Sequence, residues 1–243
     1  MSSPVVHFEI ATADPVALGE FYSKLFGWNV QSIPEPAYTV VDTASGRGIN
    51  GGFGKAEDEQ SVKVYIEVAD LDAALKKIES LGGKTQFPPT VLPMVTFAQF
   101  SDPDGNINGL VLAAQPGQEG PGVSAGSNPP LAWFEILGKD AAKLQKFYAD
   151  AFGWNIKSTE VEGVNYGQVE VKDRGIPGGI SAARDGKSVV TVYAEVDDLQ
   201  KYLDAAAELG AKTIVEPMKV DEKTTIALFA DPQGNAFGMY SGM

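Results

Sequence analysis

The chain has 243 residues, 44% of them apolar, and a formal net charge of −13 from 19 Lys plus Arg against 32 Asp plus Glu. That is enough apolar material for a core, and the acidic balance speaks against nucleic acid or an anionic membrane as partner, because both are gripped by basic surface. The absence of cysteine excludes disulfides and thiol chemistry, and the single histidine, His7, excludes any intrachain site built on two histidines.

The first residues have neither a basic leader segment nor an apolar run, and no stretch reaches the ~18 apolar residues of a membrane span. The expectation is a cytoplasmic protein. Val5–Ile10 reads as a short strand. Asp14-Pro15 supplies a helix N-cap and a proline at the first helical position, and Leu18, Phe21, Tyr22 and Leu25 follow at helical spacing up to Gly27. Strand-like runs come near 28–33, 37–43 and 47–53. A second round begins with a strand over Val62–Val68, then a helix capped by Asp70 and carrying Leu71, Leu75, Ile78 and Leu81, then strands near 84–91, 94–101 and 106–112.

This whole series is written twice. His7-Phe-Glu-Ile returns as Trp133-Phe-Glu-Ile, and Phe26-Gly-Trp-Asn as Phe152-Gly-Trp-Asn, both at an offset of 126. The block from Arg47 returns at Arg174, offset 127; Val64 at Val192, offset 128; and Asp102-Pro-x-Gly-Asn at Asp231, offset 129. A slowly drifting offset marks two copies of one unit separated by single-residue loop insertions. Residues 1–114 form module one and 129–243 module two, joined by a Pro/Gly/Ser-rich linker over 115–128. The second copy predicts helices near 140–152 and 198–209.

The order of elements, with the His7-Phe-Glu-Ile strand, the helix ending Phe26-Gly-Trp28, the Gly51-Gly52 strand and Asp102-Pro-Asp-Gly-Asn106, resembles the vicinal oxygen chelate superfamily. That group includes glyoxalase I, the bleomycin-resistance proteins and the extradiol dioxygenases. The resemblance implies an α+β fold of two tandem modules. Each would hold two βαβββ units in a curved, half-open barrel-like sheet, with helices on the convex side and a ligand cavity on the concave one. Strand alternation then sends Val6, Phe8, Ile10, Val64, Ile66 and Val68 to the helices. It sends His7, Glu9, Lys63, Tyr65 and Glu67 to the cavity, with Trp133, Glu135, Thr191, Tyr193 and Glu195 in the copy.

Metal-using relatives place a His on the first strand, a carboxylate on the fourth, a His or similar on the fifth and a Glu on the eighth. At those positions this chain has His7, the carboxylate-free Asn50-Gly-Gly-Phe-Gly54, Lys63 and Gly109. Module two has Trp133, Gly178–Ser181, Thr191 and Gly238. About three protein ligands are needed to hold a divalent ion against water. No cofactor is therefore predicted and no metal ligand assigned; the one salvage, a divalent site from His7, Glu9 and Glu67, is disfavoured by the ligand count.

The candidate catalytic residues are His7, as a general base, and Glu9. The candidate ligand-binding residues are Tyr38, Lys63, Tyr65, Glu67, Trp133, Glu135, Tyr166, Tyr193 and Glu195. Equally, the carboxylates serve as structural groups paired with Lys63 or Arg47, and Trp133 as cavity filler. Gly46-x-Gly48-x-x-Gly51 matches a dinucleotide fingerprint only formally, since it opens no helix and its copy begins with Asp173. The functional expectation is a glyoxalase/bleomycin-resistance-like protein that binds a small organic molecule in its concave cavities without a metal. It would be a monomer, its repeats acting as a pseudo-dimer, or a homodimer. The alternative is a lyase, isomerase or dioxygenase-type enzyme acting on a vicinal-oxygen substrate through His7 and nearby glutamates.

Overall fold

The computed structural model describes residues 2–35, 37–56, 60–114, 122–161, 163–171 and 174–242. The first part of the expected linker, 115–121, and Asp173 lie outside the described residues. The first repeat contains β1 (Val5–Thr12), α1 (Pro15–Phe26), β2 (Asn29–Ile33), β3 (Tyr38–Asp42), β4 (Asn50–Lys55), β5 (Ser61–Val68), α2 (Leu71–Ser80), β6 (Lys84–Val91), β7 (Thr96–Ser101) and β8 (Ile107–Leu112). The second contains β9 (Leu131–Gly138), α3 (Ala141–Phe152), β10 (Asn155–Val161), β11 (Val164–Glu170), β12 (Gly178–Ala182), β13 (Val189–Glu195), α4 (Leu199–Glu208), β14 (Lys212–Lys219), β15 (Thr225–Ala230) and β16 (Ala236–Ser241).

Each repeat builds one open, mixed, eight-stranded sheet, in the orders β2-β3-β4-β1-β5-β8-β7-β6 and β10-β11-β12-β9-β13-β16-β15-β14. The expected α+β architecture of two tandem modules is what forms. The first two helices start where Asp14 and Asp70 predict, and the two helices of the second repeat are capped by aspartates as well. Asp14 accepts from the N–H groups of Val16 and Ala17, and Asp70, Asp140 and Asp198 each accept from an N–H three residues on. Gly27 (φ 74°) and Gly153 (φ 67°) end α1 and α3 in the left-handed region, which an L side chain resists.

Close approach of the backbone divides the chain differently from sheet hydrogen bonding. Two compact units form: Met1–His7, Lys63–Gly122 and Phe134–Val190 in one, and Phe8–Val62, Val123–Trp133 and Thr191–Met243 in the other. Each unit thus takes one βαβββ half from each repeat.

In the unit containing α1 and α4, Tyr22 is fully buried. It stacks on Phe53 at 5.2 Å and on Trp28 at 5.8 Å, and Phe237 lies 5.0 Å away. Its hydroxyl points at Asp231 (3.4 Å), and the Trp28 indole donates to the Pro129 carbonyl at 2.8 Å. In the unit containing α2 and α3, Tyr148 occupies the equivalent place, stacked on Trp154 at 5.2 Å. Its hydroxyl donates to Asp102 (3.1 Å) and accepts from Asn108 (3.0 Å), while Asn108 also accepts the Val64 N–H at 3.1 Å. Burial raises the pKa of Asp102 and of Asp231 above the ordinary aspartate range, against hydrogen bonds from Asn106 and Asn235. Burial, and then those carboxylates, push both tyrosines well up.

One local reading changes. Val5, not Val6, is the buried valine of the first strand. Its carbonyl accepts from Ile176 at 3.2 Å, and the turn at Gly175 presses on it so closely that a Cβ there would lie 2.5 Å from the Val5 oxygen. The described part of the linker is hydrogen-bonded to the first repeat. Ser124 N–H donates to Asp42 at 3.1 Å, Asn128 donates to the Gly27 carbonyl at 2.7 Å, and a Cβ at Gly126 would stand 1.9 Å from the Ala44 oxygen.

Candidate functional site

On β5, Lys63, Val64, Tyr65 and Ile66 are all buried, and Tyr65 stands on the face of the strand opposite Val64 and Ile66. Register then builds a row across three strands: Gln99 on β7 pairs with Gly109 on β8, and Gly109 with Tyr65 on β5. The bare glycine is what lets Tyr65 lie across β8. A Cβ at 109 would be 2.1 Å from the Tyr65 ring, and Tyr65 is only 4% exposed. The phenol reaches β7, where the Gln99 amide donates to it at 3.2 Å. His7 meets the same ring edge-on, with centroids 5.6 Å apart and planes at 80°. Lys63, two residues from Tyr65 on the same strand, is buried.

The second repeat builds the same row with one substitution. Leu228 on β15 pairs with Gly238 on β16, and Gly238 with Tyr193 on β13. A Cβ at 238 would again be 2.1 Å from the tyrosine ring. Two further tyrosines also lie on glycines. Tyr166 covers Gly179 and donates to Glu135 at 3.1 Å. Tyr38 covers Gly52, where a Cβ would sit 2.3 Å from the ring. Glu9 is half-buried beside Gly54, and Trp133 is buried.

The remaining candidate carboxylates are paired with arginines of the opposite repeat, each pair inside one compact unit. Glu67 takes one bond from Arg174 at 2.9 Å. Glu195 is held by both terminal nitrogens of Arg47, each at 2.8 Å, and by the Tyr240 hydroxyl at 3.0 Å. Arg47's hydrogen bonds bring Glu195 below the ordinary glutamate range, although burial pulls the other way. Burial and the Glu195 charge raise Tyr240. Arg47 was among the expected partners. Arg174, Tyr240 and Gln99 were not singled out; the only signal for Arg174 was that the Arg-Gly-Ile block occurs twice.

This donor set does not fit the ion that the resemblance implies. Among the described residues, no three His, Asp or Glu side chains come together to hold a metal. His7 lies against a phenol ring, Glu67 is engaged by Arg174, and the position of the eighth-strand carboxylate is a glycine already covered by Tyr65.

Comparison with known proteins agrees with this architecture. CFP32 of Mycobacterium tuberculosis, which carries a provisional glyoxylase name, is 27% identical over 243 residues, spanning 95% of this chain and 92% of its own. The anthracycline biosynthesis protein DauV of a Streptomyces species is 24% identical, spanning 96% of this chain and 90% of its own. Among solved structures, the 2,3-dioxygenase LapB from Pseudomonas sp. KL28 has the same fold, with a TM-score of 0.73 at 12% identity, covering 100% of this chain and 93% of LapB. The Mn(II)-bound glyoxalase from Novosphingobium aromaticivorans has it too, at TM-score 0.70 and 16% identity, over 98% of this chain and 83% of that one. Among the described residues, no helix is long and apolar enough to cross a membrane. The glyoxalase-like domain family matches twice, over residues 7–110 and 135–239, and the chain therefore belongs to that family, as a two-module member of the vicinal oxygen chelate superfamily.

Proposed function

We propose that this chain is a binding protein that holds a small organic molecule against the sheet faces turned away from its helices, without a metal ion. The observation that supports this most is the pair Gly109 and Tyr65. Where a metal-using relative carries its last carboxylate, this chain has bare backbone under an aromatic ring. Aromatic rings with a few polar groups suit a planar guest, and the net charge of −13 suits a cationic one. The name of the relative DauV ties that protein to anthracycline biosynthesis, which makes a polycyclic aromatic the first ligand class to try. The test is a fluorescence titration with daunorubicin, before and after dialysis against EDTA. Unchanged affinity is expected; binding that disappears with EDTA and returns with Mn²⁺ or Zn²⁺ would overturn the metal-free reading.

A second reading, a lyase, isomerase or dioxygenase-type enzyme with His7 as base, draws on the half-buried imidazole against Tyr65 and on the fold shared with the dioxygenases. His7→Ala separates the two. A binding protein keeps its affinity within a few-fold. An enzyme acting on a vicinal-oxygen substrate keeps binding and loses turnover.

A further inference from the structure

We infer that Gln99 is the group with which the first repeat recognises a ring oxygen of a planar ligand, and that the second repeat, which has Leu228 in its place, reads no such oxygen. The inference rests on the binding reading above and extends it to a ligand class and a residue.

Its basis is a controlled comparison inside one chain. The rows Gln99–Gly109–Tyr65 and Leu228–Gly238–Tyr193 share strand register, and both glycines lie equally close under their tyrosines. What differs is the third member. Gln99 is half-buried, with one N–H committed to the Tyr65 hydroxyl at 3.2 Å. An amide has a second N–H and a carbonyl, and the bond to Tyr65 fixes the plane in which they are presented.

Two residues before Gln99, on the same face of β7, Phe97 stacks on Phe87 with centroids 5.5 Å apart and planes at 10°. At the position of Phe97 the second repeat has Ile226. The first repeat therefore offers aromatic surface beside an oriented amide, and the second offers aliphatic surface. A partly desolvated amide favours a ligand that supplies an acceptor and disfavours one of the same shape that does not.

The probes are (anthraquinon-2-ylmethyl)trimethylammonium and (anthracen-2-ylmethyl)trimethylammonium, which share outline and a positive charge and differ in the two ring carbonyls. By isothermal titration the native chain should prefer the quinone by about tenfold. Gln99→Leu, which copies the second repeat, should bring that ratio to about one without weakening binding of the anthracene. Leu228→Gln should raise the number of quinone molecules bound per chain. If thermal unfolding shows the leucine variant misfolded, Gln99→Glu, equal in size but without the donor, serves instead and should reverse the preference. A folded Gln99 variant with an unchanged quinone preference overturns the proposal while leaving ligand binding intact. So does a chain that binds daunorubicin but neither probe. Failure of all three compounds to bind removes the binding reading itself.

Discussion

In one compact unit, Gly19 of α1 faces Thr39 of β3, and a Cβ on the glycine would meet the threonine methyl at 2.8 Å. In the other, the helix position is Gln145 and the strand position is Gly167, where a Cβ would meet the glutamine amide carbon at 2.5 Å. The small and large partners have changed places between the repeats. Gln145 then uses its length, bonding Asn165 at 2.9 Å, the Ile180 carbonyl at 3.1 Å and Ser158 at 2.7 Å. The same exchange of chemistry within a constant frame appears at Asn108 and Phe237. One closes a hydrogen-bonded network around Tyr148; the other joins the rings around Tyr22. Duplication has kept the backbone solution and let the side chains diverge in compensating pairs, because a packed interior tolerates a change of volume only when a neighbour gives way.

Truncating the two equivalent core positions tests that contrast most strongly. Phe237→Ala removes a ring from an aromatic cluster and should cost about 3–5 kcal/mol in urea unfolding. Asn108→Ala should cost about 1–3 kcal/mol, because it leaves the Val64 N–H and the Tyr148 hydroxyl short of a partner. Equal losses would mean that the two units do not rely on different chemistry. Gly167→Thr should cost about 2 kcal/mol by overpacking, and the double variant with Gln145→Gly should lose less than the sum of the two single changes, because it recreates the Gly19–Thr39 pair. Strictly additive losses would count against compensation.

The arginine pairs give the smallest effects. Glu195→Gln should lower stability by about 1 kcal/mol at pH 7, and Glu67→Gln, held by one nitrogen, by about half of that. The Glu195 carboxyl is depressed on folding, so its contribution is present above the ordinary glutamate range and is lost as pH falls through its lowered pKa. The gap between native and Glu195→Gln stability should therefore narrow on acidification. A gap independent of pH would show that the ion pair is not its source.

Much of the frame was legible beforehand. The caps at Asp14 and Asp70, the apolar spacing of Leu18, Phe21, Tyr22 and Leu25, and the duplication each depend on residues close in sequence or on literal repetition. The buried positions of Phe8 and Ile10 followed from alternation. Val5 against Val6 did not, because a turn from the second repeat presses on that strand end. Nor did the pairing of Glu67 with Arg174, which lies 107 residues away. Gln99 gave no signal by itself: a glutamine in a strand is unremarkable until register sets it one bare glycine away from a phenol.

The sequence alone therefore determined where helices and strands begin, that the chain is two copies of one unit, and that it carries no cysteine and a single histidine. Those follow from caps, periodicity and composition, which act over a few residues or none. Only the tertiary structure decided that half of one repeat packs with half of the other, which carboxylate meets which arginine, and that tyrosine rings lie over Gly52, Gly109, Gly179 and Gly238. Those outcomes are set by strand register and interior volume, where groups distant along the chain compete for the same few ångströms.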